Sequence, residues 1–308
     1  MEIALQFGLL VLGFVMLAKG ADWFVEGAAG IAMRFGIPQL VIGLTIVAMG
    51  TSAPEAAVSI AAAVKGNADI TIGNIVGSNI LNILIILGLA ASIVPIAVAR
   101  STVRIEIPFM IGVTALLFYQ GHDGSISLAD GGVLMVAFAA YMMYLYTMAM
   151  KSNVDSDLEE PGLPLGRCLL GAVGGLALII AGSNVTVGAA TSIATYAGLS
   201  ERFIGLTIVA LGTSLPELFT SVAAARRGNA DIAIGNIVGS NIFNILFVVG
   251  LSSLIIDIPF ASAFNFDTYV ALGAAVLLWL CVLRTQRLQR WAGALMLVCY
   301  AAYLGYIL

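Results

Sequence analysis

The sequence predicts an all-α membrane protein with ten transmembrane helices in two inverted five-helix repeats. Three observations lead there. The 308 residues are 61% hydrophobic and 10% charged, with a mean hydropathy of +1.06, too much apolar surface for a water-soluble domain to bury. The apolar runs are continuous rather than alternating, which selects helices over a membrane barrel. Finally, Ile42 to Leu89 and Ile204 to Leu251 are near copies, identical at 35 of 48 aligned positions.

Ten spans can be drawn, where a crossing helix needs about 20 apolar residues. They lie near 3–33, 37–64, 69–95, 104–120, 128–150, 168–198, 202–226, 231–256, 268–284 and 291–307. The start, MEIALQFGLL, lacks a positive n-region and reads as the opening of the first span rather than a signal peptide. The one strongly polar connection, Lys151 to Arg167, separates five spans from five. The chain therefore divides into residues 1–150, carrying the first repeat (42–89), a linker at 151–167, and residues 168–308, carrying the second (204–251). The acids of the linker lack the spacing and glycine of a calcium loop.

Basic residues set the expected orientation. Arg34, Arg100, Arg104, Lys151, Arg167, Arg226, Arg227, Arg284, Arg287 and Arg290 all fall on one side, against Lys65 and Arg202 on the other. The linker is then cytoplasmic and both termini outside, in the cell membrane. Five spans is an odd number, so the second half enters from the opposite face. Secondary transporters with a midplane site at the repeat interface are built this way.

The repeats carry the chemistry. Gly50-Thr51-Ser52-Ala53-Pro54-Glu55 interrupts the second span and Gly212-Thr213-Ser214-Leu215-Pro216-Glu217 the seventh. Proline removes a backbone donor and glycine adds freedom, so each helix is expected to kink and free carbonyls around Ala48 to Thr51. An ionised acid at such depth costs roughly 2.5–3.5 kcal/mol or more; a chain that carries it twice is expected to set both acids on one cation. The third span adds Asn74, Gly77, Ser78, Asn79 and Asn82, and the eighth Asn236, Gly239, Ser240, Asn241 and Asn244. Gly73 with Gly77, and Gly235 with Gly239, predict close helix approach. The set is rich in hard oxygen and has no thiolate or imidazole, which suits Ca²⁺ or Na⁺ and ranks Mg²⁺ lower. The structural alternative, protonated acids and packing glycines, explains one copy of the motif but not two with matched proline and glycine.

Other features have plain readings. Cys168, Cys281 and Cys299 are small apolar residues, and His122 is a loop residue in GHDGS. Lys19, Asp22 and Glu26 suggest a local ion pair on span one, while Asp69 and Asp231 suggest helix N-caps. Few basic residues and a net charge of −4 argue against nucleic acid.

The paired motifs GTSxPE and GNIVGSNIxN resemble the α-repeats of sodium/calcium exchangers, in the cation/calcium antiporter superfamily. The resemblance implies that Glu55 and Glu217 hold Ca²⁺ and compete for Na⁺. It further implies that Thr51, Ser52, Thr213 and Ser214 contribute hydroxyls or carbonyls. Ser78, Asn82, Ser240 and Asn244 complete flanking Na⁺ positions, with the carbonyls of Ala48 and Ala210 nearby. Some relatives, including potassium-dependent ones, carry Asp at the position of Asn244, so K⁺ co-transport is not expected. The long first and sixth spans are the implied moving element, and the short linker cannot house a large regulatory region. The expected activity is Na⁺/Ca²⁺ antiport by alternating access, with no cofactor beyond the transported ions. Proton-coupled calcium antiport stands second and a cation channel is remote. An intramembrane hydrolase lacks a nucleophile–base pair or aspartate dyad. Oligomeric state is open, with a monomer the simplest expectation.

Overall fold

In the computed structural model, residues 2–66, 68–151, 163–198 and 210–307 are described. Within them the chain runs α1 (Glu2–Phe35), α2 (Gln39–Thr51), α3 (Ala53–Val64), α4 (Ile70–Ile93), α5 (Thr102–Asp123) and α6 (Leu128–Lys151). It continues with α7 (Leu165–Tyr196), α8 (Ala210–Thr213), α9 (Leu215–Arg226), α10 (Ala230–Ile255), α11 (Ala263–Leu283) and α12 (Arg290–Ile307). Among the described residues eight helices are long and apolar enough to cross a membrane, and a ninth span is formed if α2 and α3 count together. The span expected at 202–226 begins outside the described residues and is seen only as α8 and α9. The helix expected from 268 begins five residues earlier, at Ala263, which brings Asp267 inside it.

Burial grades from rim to centre. Of the apolar windows, 94% of α10 and 78% of α4 is buried, against 17% of α1, α6 and α12. The two Asn-rich helices are thus the core, and the rim helices face outward with Leu5, Val136 and Val298 exposed, as lipid-facing side chains do. α1, at 34 residues, is about 51 Å long, more than an upright crossing needs.

α1 and α7 pack with backbone nearly touching backbone. Gly13, Gly20 and Gly27 are seven apart and share one face of α1. A Cβ on Gly20 would stand 2.9 Å from the Gly175 carbonyl oxygen and the Ile179 nitrogen, and one on Gly27 2.4 Å from the Ala172 nitrogen. The same device joins α10 to α2. A Cβ on Gly239 would lie 2.8 Å from the Leu44 Cα and the Ala48 Cβ, and one on Gly235 3.1 Å from the Gly43 Cα. Gly77 meets nothing within 4 Å, so the expected close approach of the first repeat is seen only at Gly73, against Phe264.

Short antiparallel strand pairs tie the connections. β1 (Ile96–Ala97) pairs with β4 (Arg287–Leu288), and β2 (Ser125–Ile126) with β3 (Ile258–Pro259). Because α5 runs from β1 to β2, the two pairs lie at opposite ends of the bundle. α6 starts with a capping box: Ser127 Oγ donates to Asp130 Oδ2 at 2.6 Å, and the Asp130 N–H returns to Ser127 Oγ at 3.3 Å. α3 and α9 end at Gly66 and Gly228, whose φ angles of +77° and +80° favour glycine.

Two local expectations are corrected. Asp22 and Glu26 pair not with Lys19 but with Arg227 at the end of α9, at 3.2 and 3.3 Å; Arg227 comes from a different helix, which local spacing could not show. Asp231 is the second residue of α10, with Asn229 at the N-cap position but making no side-chain cap bond, and the backbone turns helical at Asp69, one residue before the apolar span of α4. Asp231 therefore sits at the positive end of the helix dipole, and neither position is the N-cap. The cysteines are free, and His122 is exposed and stacks on Tyr119.

Candidate cation site between the two repeats

The break in the second span falls at Ser52 (φ −81°, ψ 6°), where α2 and α3 bend by 51°. Ser214 (φ −90°, ψ 4°) separates α8 from α9 in the same way. Pro54 and Pro216 stand in the first turn of the helices that follow, where a missing N–H costs nothing. Glu55 and Glu217 then sit in the first turns of α3 and α9, each only 1% exposed. Helix starts favour negative charge.

Each acid is held by the other repeat. Ser52 Oγ donates to Glu217 Oε1 at 2.8 Å, and Ser214 Oγ donates to Glu55 Oε1 at 3.2 Å. Thr213 also approaches the Glu55 carboxylate, and Thr51 that of Glu217. The Thr51 hydroxyl lies 3.1 Å from the Val47 carbonyl and 2.9 Å from Asn236 Oδ1. These reciprocal bonds bring the two acids, 162 residues apart in sequence, into one place.

The core helices add a clasp of four asparagines. Asn79 Nδ2 donates to the Asn241 carbonyl and Asn241 Nδ2 to the Asn79 carbonyl, both at 3.2 Å. Asn82 Nδ2 donates to Asn241 Oδ1 at 2.9 Å, and Asn244 Nδ2 to Asn79 Oδ1 at 3.1 Å. Asn82 and Asn244 each open a π-helical stretch, Asn82–Leu87 and Asn244–Val249, a geometry that recurs at functional sites. A second layer fixes the acid helices. Asn74 Nδ2 donates to Ser59 Oγ and Asn236 Nδ2 to Ser221 Oγ, both at 2.9 Å.

Four matched acceptor oxygens are left over. Glu55 Oε2, Glu217 Oε2, Asn82 Oδ1 and Asn244 Oδ1 are all buried and lack a hydrogen-bond partner. A buried polar atom without a partner costs about 1–3 kcal/mol, more when charged, so four at one interface call for an occupant. All four are hard oxygen, the donor type of Ca²⁺ and Na⁺. No cluster of three or more His, Cys, Asp or Glu occurs among the described residues; here the two acids come together with amide and hydroxyl oxygens instead.

The remaining sequence-predicted residues are less engaged. The Ala48 carbonyl is not freed by the kink; it accepts from the Ser52 N–H at 3.0 Å and from Ser240 Oγ and Thr51 Oγ1 at 3.3 Å. Proline at the start of the new helix breaks the chain direction without stripping this carbonyl of its partner. Ser78 is buried. Ala210 opens α8, and its side chain lies outside the described residues. Sequence reasoning missed Ser59 and Ser221, although their identity in the two repeats was a usable signal. Asn79 and Asn241 belong to the repeated motif, but their mutual bonds cross 162 residues and leave no trace in local spacing.

The family model described as sodium/calcium exchanger protein matches residues 5–147 and 168–308, nearly the whole chain. This chain belongs to the sodium/calcium exchanger family. It is 40% identical over 305 residues to the putative antiporter CaxA of Alkalimonas amylolytica, covering 96% of both chains. It is 33% identical to the sodium/calcium exchanger MaX1 of Methanosarcina acetivorans, covering 98% of each. Among solved structures, the sodium-calcium exchanger NCX_Mj soaked with 2.5 mM Na⁺ and 10 mM Sr²⁺ superposes with a TM-score of 0.86 at 34% identity, over 98% of this chain and 99% of that one. The chain is thus a multi-span, all-α membrane transporter of this family.

Proposed function

We propose that this chain exchanges Na⁺ for Ca²⁺ across the cell membrane by alternating access. Its ten spans form two five-helix halves inserted in opposite senses, with both termini outside and the 151–167 linker in the cytoplasm. One Ca²⁺ sits between Glu55 and Glu217, with Thr51, Ser52, Thr213 and Ser214 around it. Na⁺ competes for the acids and occupies flanking positions near Ser78, Asn82, Ser240 and Asn244, beside the Ala48 and Ala210 carbonyls.

The observation that carries this reading is the set of four unpartnered oxygens: two carboxylate and two amide, two from each half. Two facing carboxylates in a water-poor interior repel strongly when bare. One Ca²⁺, or two or more Na⁺, cancels that repulsion. The loaded carrier therefore changes sides readily and the bare one does not, which makes the cycle an exchange rather than a leak.

Proteoliposomes loaded with Na⁺, K⁺ or choline, or set with a pH gradient, test the coupling. Radiolabelled Ca²⁺ uptake is expected only against outward Na⁺. Uptake driven by a proton gradient in the absence of Na⁺ identifies the chain as a proton-coupled antiporter. Uptake with no counter-ion on either side contradicts exchange altogether.

A further inference from the structure

A second carboxylate is buried in this bundle away from the paired acids. Glu106 is fully buried in the π-helical turn Thr102–Glu106 that opens α5. The Tyr144 hydroxyl, on α6, donates to Glu106 Oε1. Glu106 Oε2 has no partner, and neither do the buried hydroxyls of Thr102 and Tyr141. Thr102 is one turn before Glu106. Tyr141 is one turn before Tyr144, on the α6 face that meets α5, where its ring stacks on Phe109 with centroids 5.3 Å apart. Two unpartnered hydroxyls therefore stand beside an acid that itself has one unpartnered oxygen.

Among the described residues no basic side chain forms an ion pair with that acid, and Arg100 and Lys151, which flank it on α5's approach and at the end of α6, are exposed. α6 brings Tyr141 and Tyr144. α11 reaches the turn through Trp279, whose indole N–H donates to the Val103 carbonyl at 2.9 Å; it carries Cys281 on that half and Asp267 and Tyr269 toward its other end. α10 contributes Asp231, another acid, and the π-helical stretch 244–249 has no titratable side chain. Arg104, on the same turn, is exposed and takes part in no salt bridge among the described residues. An ionised carboxylate so placed costs several kcal/mol, with a bare oxygen besides.

We propose that Glu106 holds a bound proton, in a site built from Thr102, Tyr141 and Tyr144 that is separate from the paired acids. The neutral acid removes the uncompensated charge. Its O–H supplies a donor where two hydroxyl oxygens stand without a partner. The comparison within the molecule supports this. Tyr303 donates to Asp267 Oδ1 at 2.8 Å, joining α11 to α12 much as Tyr144 joins α6 to α5. Asp267, however, is only partly buried and can keep its charge in contact with water. The acid–tyrosine link thus occurs in both halves, and only the first half seals it from solvent. This proposal stands independently of the transport reading.

Infrared spectroscopy of the purified full chain in detergent at neutral pH tests it, through the C=O band of protonated carboxyl groups. The band is expected to lose intensity in Glu106→Gln, and this Glu106-dependent part, the difference between parent and variant, is expected to be the same in choline and in Na⁺ at constant pH. An equal band in parent and variant overturns the proposal, since the acid is then ionised. Loss of this intensity on adding Na⁺ also overturns it, in favour of a metal ion at the same oxygens. Should Glu106→Gln fail to fold, Tyr141→Phe is expected to shift the frequency of the band without removing it, and no shift overturns the assigned surroundings.

Discussion

Replacing Glu217 by Gln removes one of two charges while keeping shape, and the structure sets the size of the effect. Ca²⁺ binds oxygen at about 2.3–2.6 Å, which puts the carboxylate charge about 3 Å from the ion. At an effective dielectric of about 20, the lost attraction to a dication is about 11 kcal/mol before offsets. Burying the carboxylate itself costs several kcal/mol, which the variant no longer bears; about 3–5 kcal/mol of lost Ca²⁺ binding remains. That is roughly a 10²–10⁴-fold rise in Kd. Na⁺ carries half the charge and loses about half as much, so the variant shifts toward Na⁺. The fold should persist, because Ser52 can still donate to the amide oxygen and one buried repulsion is gone. Glu55→Gln should match within about tenfold, given its mirror-image bond to Ser214. Calorimetric Ca²⁺ titration of the purified chain reads the loss, and thermal unfolding reads the fold. Near-parental Ca²⁺ affinity in either variant would refute the shared-ion reasoning.

Further expectations concern packing. Gly20→Val should destabilise by about 1–3 kcal/mol, because its side chain meets the α7 backbone and overpacking costs that much; Gly8→Ala, with nothing within 4 Å, should leave the melting temperature unchanged in the same detergent assay. Asn79→Ala removes a bond to the Asn241 carbonyl and the acceptor for Asn244. It should cost about 1–3 kcal/mol in thermal unfolding and also weaken cation binding. Arg227→Gln breaks two ion pairs, to Asp22 and Glu26, in which Arg227 is 36% and each acid 42% exposed, so its stability cost should stay near or below about 1 kcal/mol and shrink further in high salt.

Much of the site was legible because it is written twice. The repeat located Glu55 and Glu217, and the proline after a serine located the breaks. Membrane composition and span lengths set the fold class. The partners were not legible, because each bond that matters joins residues about 160 apart and sequence spacing says nothing across that gap. Hence Ser52 could be named without knowing that it serves the opposite acid, Glu217. Asn79 and Asn82 share a motif, but their division of labour, one clasping and one leaving its oxygen free, depends on rotamers. The Ala48 carbonyl was expected to be freed because a kink usually strips the preceding turn; here Ser52 retains the bond. The α1–α7 contact was half visible, since a glycine every seventh residue can be counted but its partner helix cannot. Glu106 escaped notice because it sits next to a predicted span boundary, where acids are common, and π-helical winding turns it inward.

The two strand pairs have a mechanical corollary. β1–β4 fastens the C-terminal end of α4 to the turn between α11 and α12, while β2–β3 fastens the α5–α6 turn to the exit of α10. Six helices are thereby stitched at opposite rims into one frame, and a frame fastened at both ends cannot breathe one rod at a time. α1 and α7, like α2, α3, α8 and α9, lie outside both pairs; they meet along the seam of Gly13, Gly20 and Gly27. A shear of α1 and α7 along this frame would break neither strand pair.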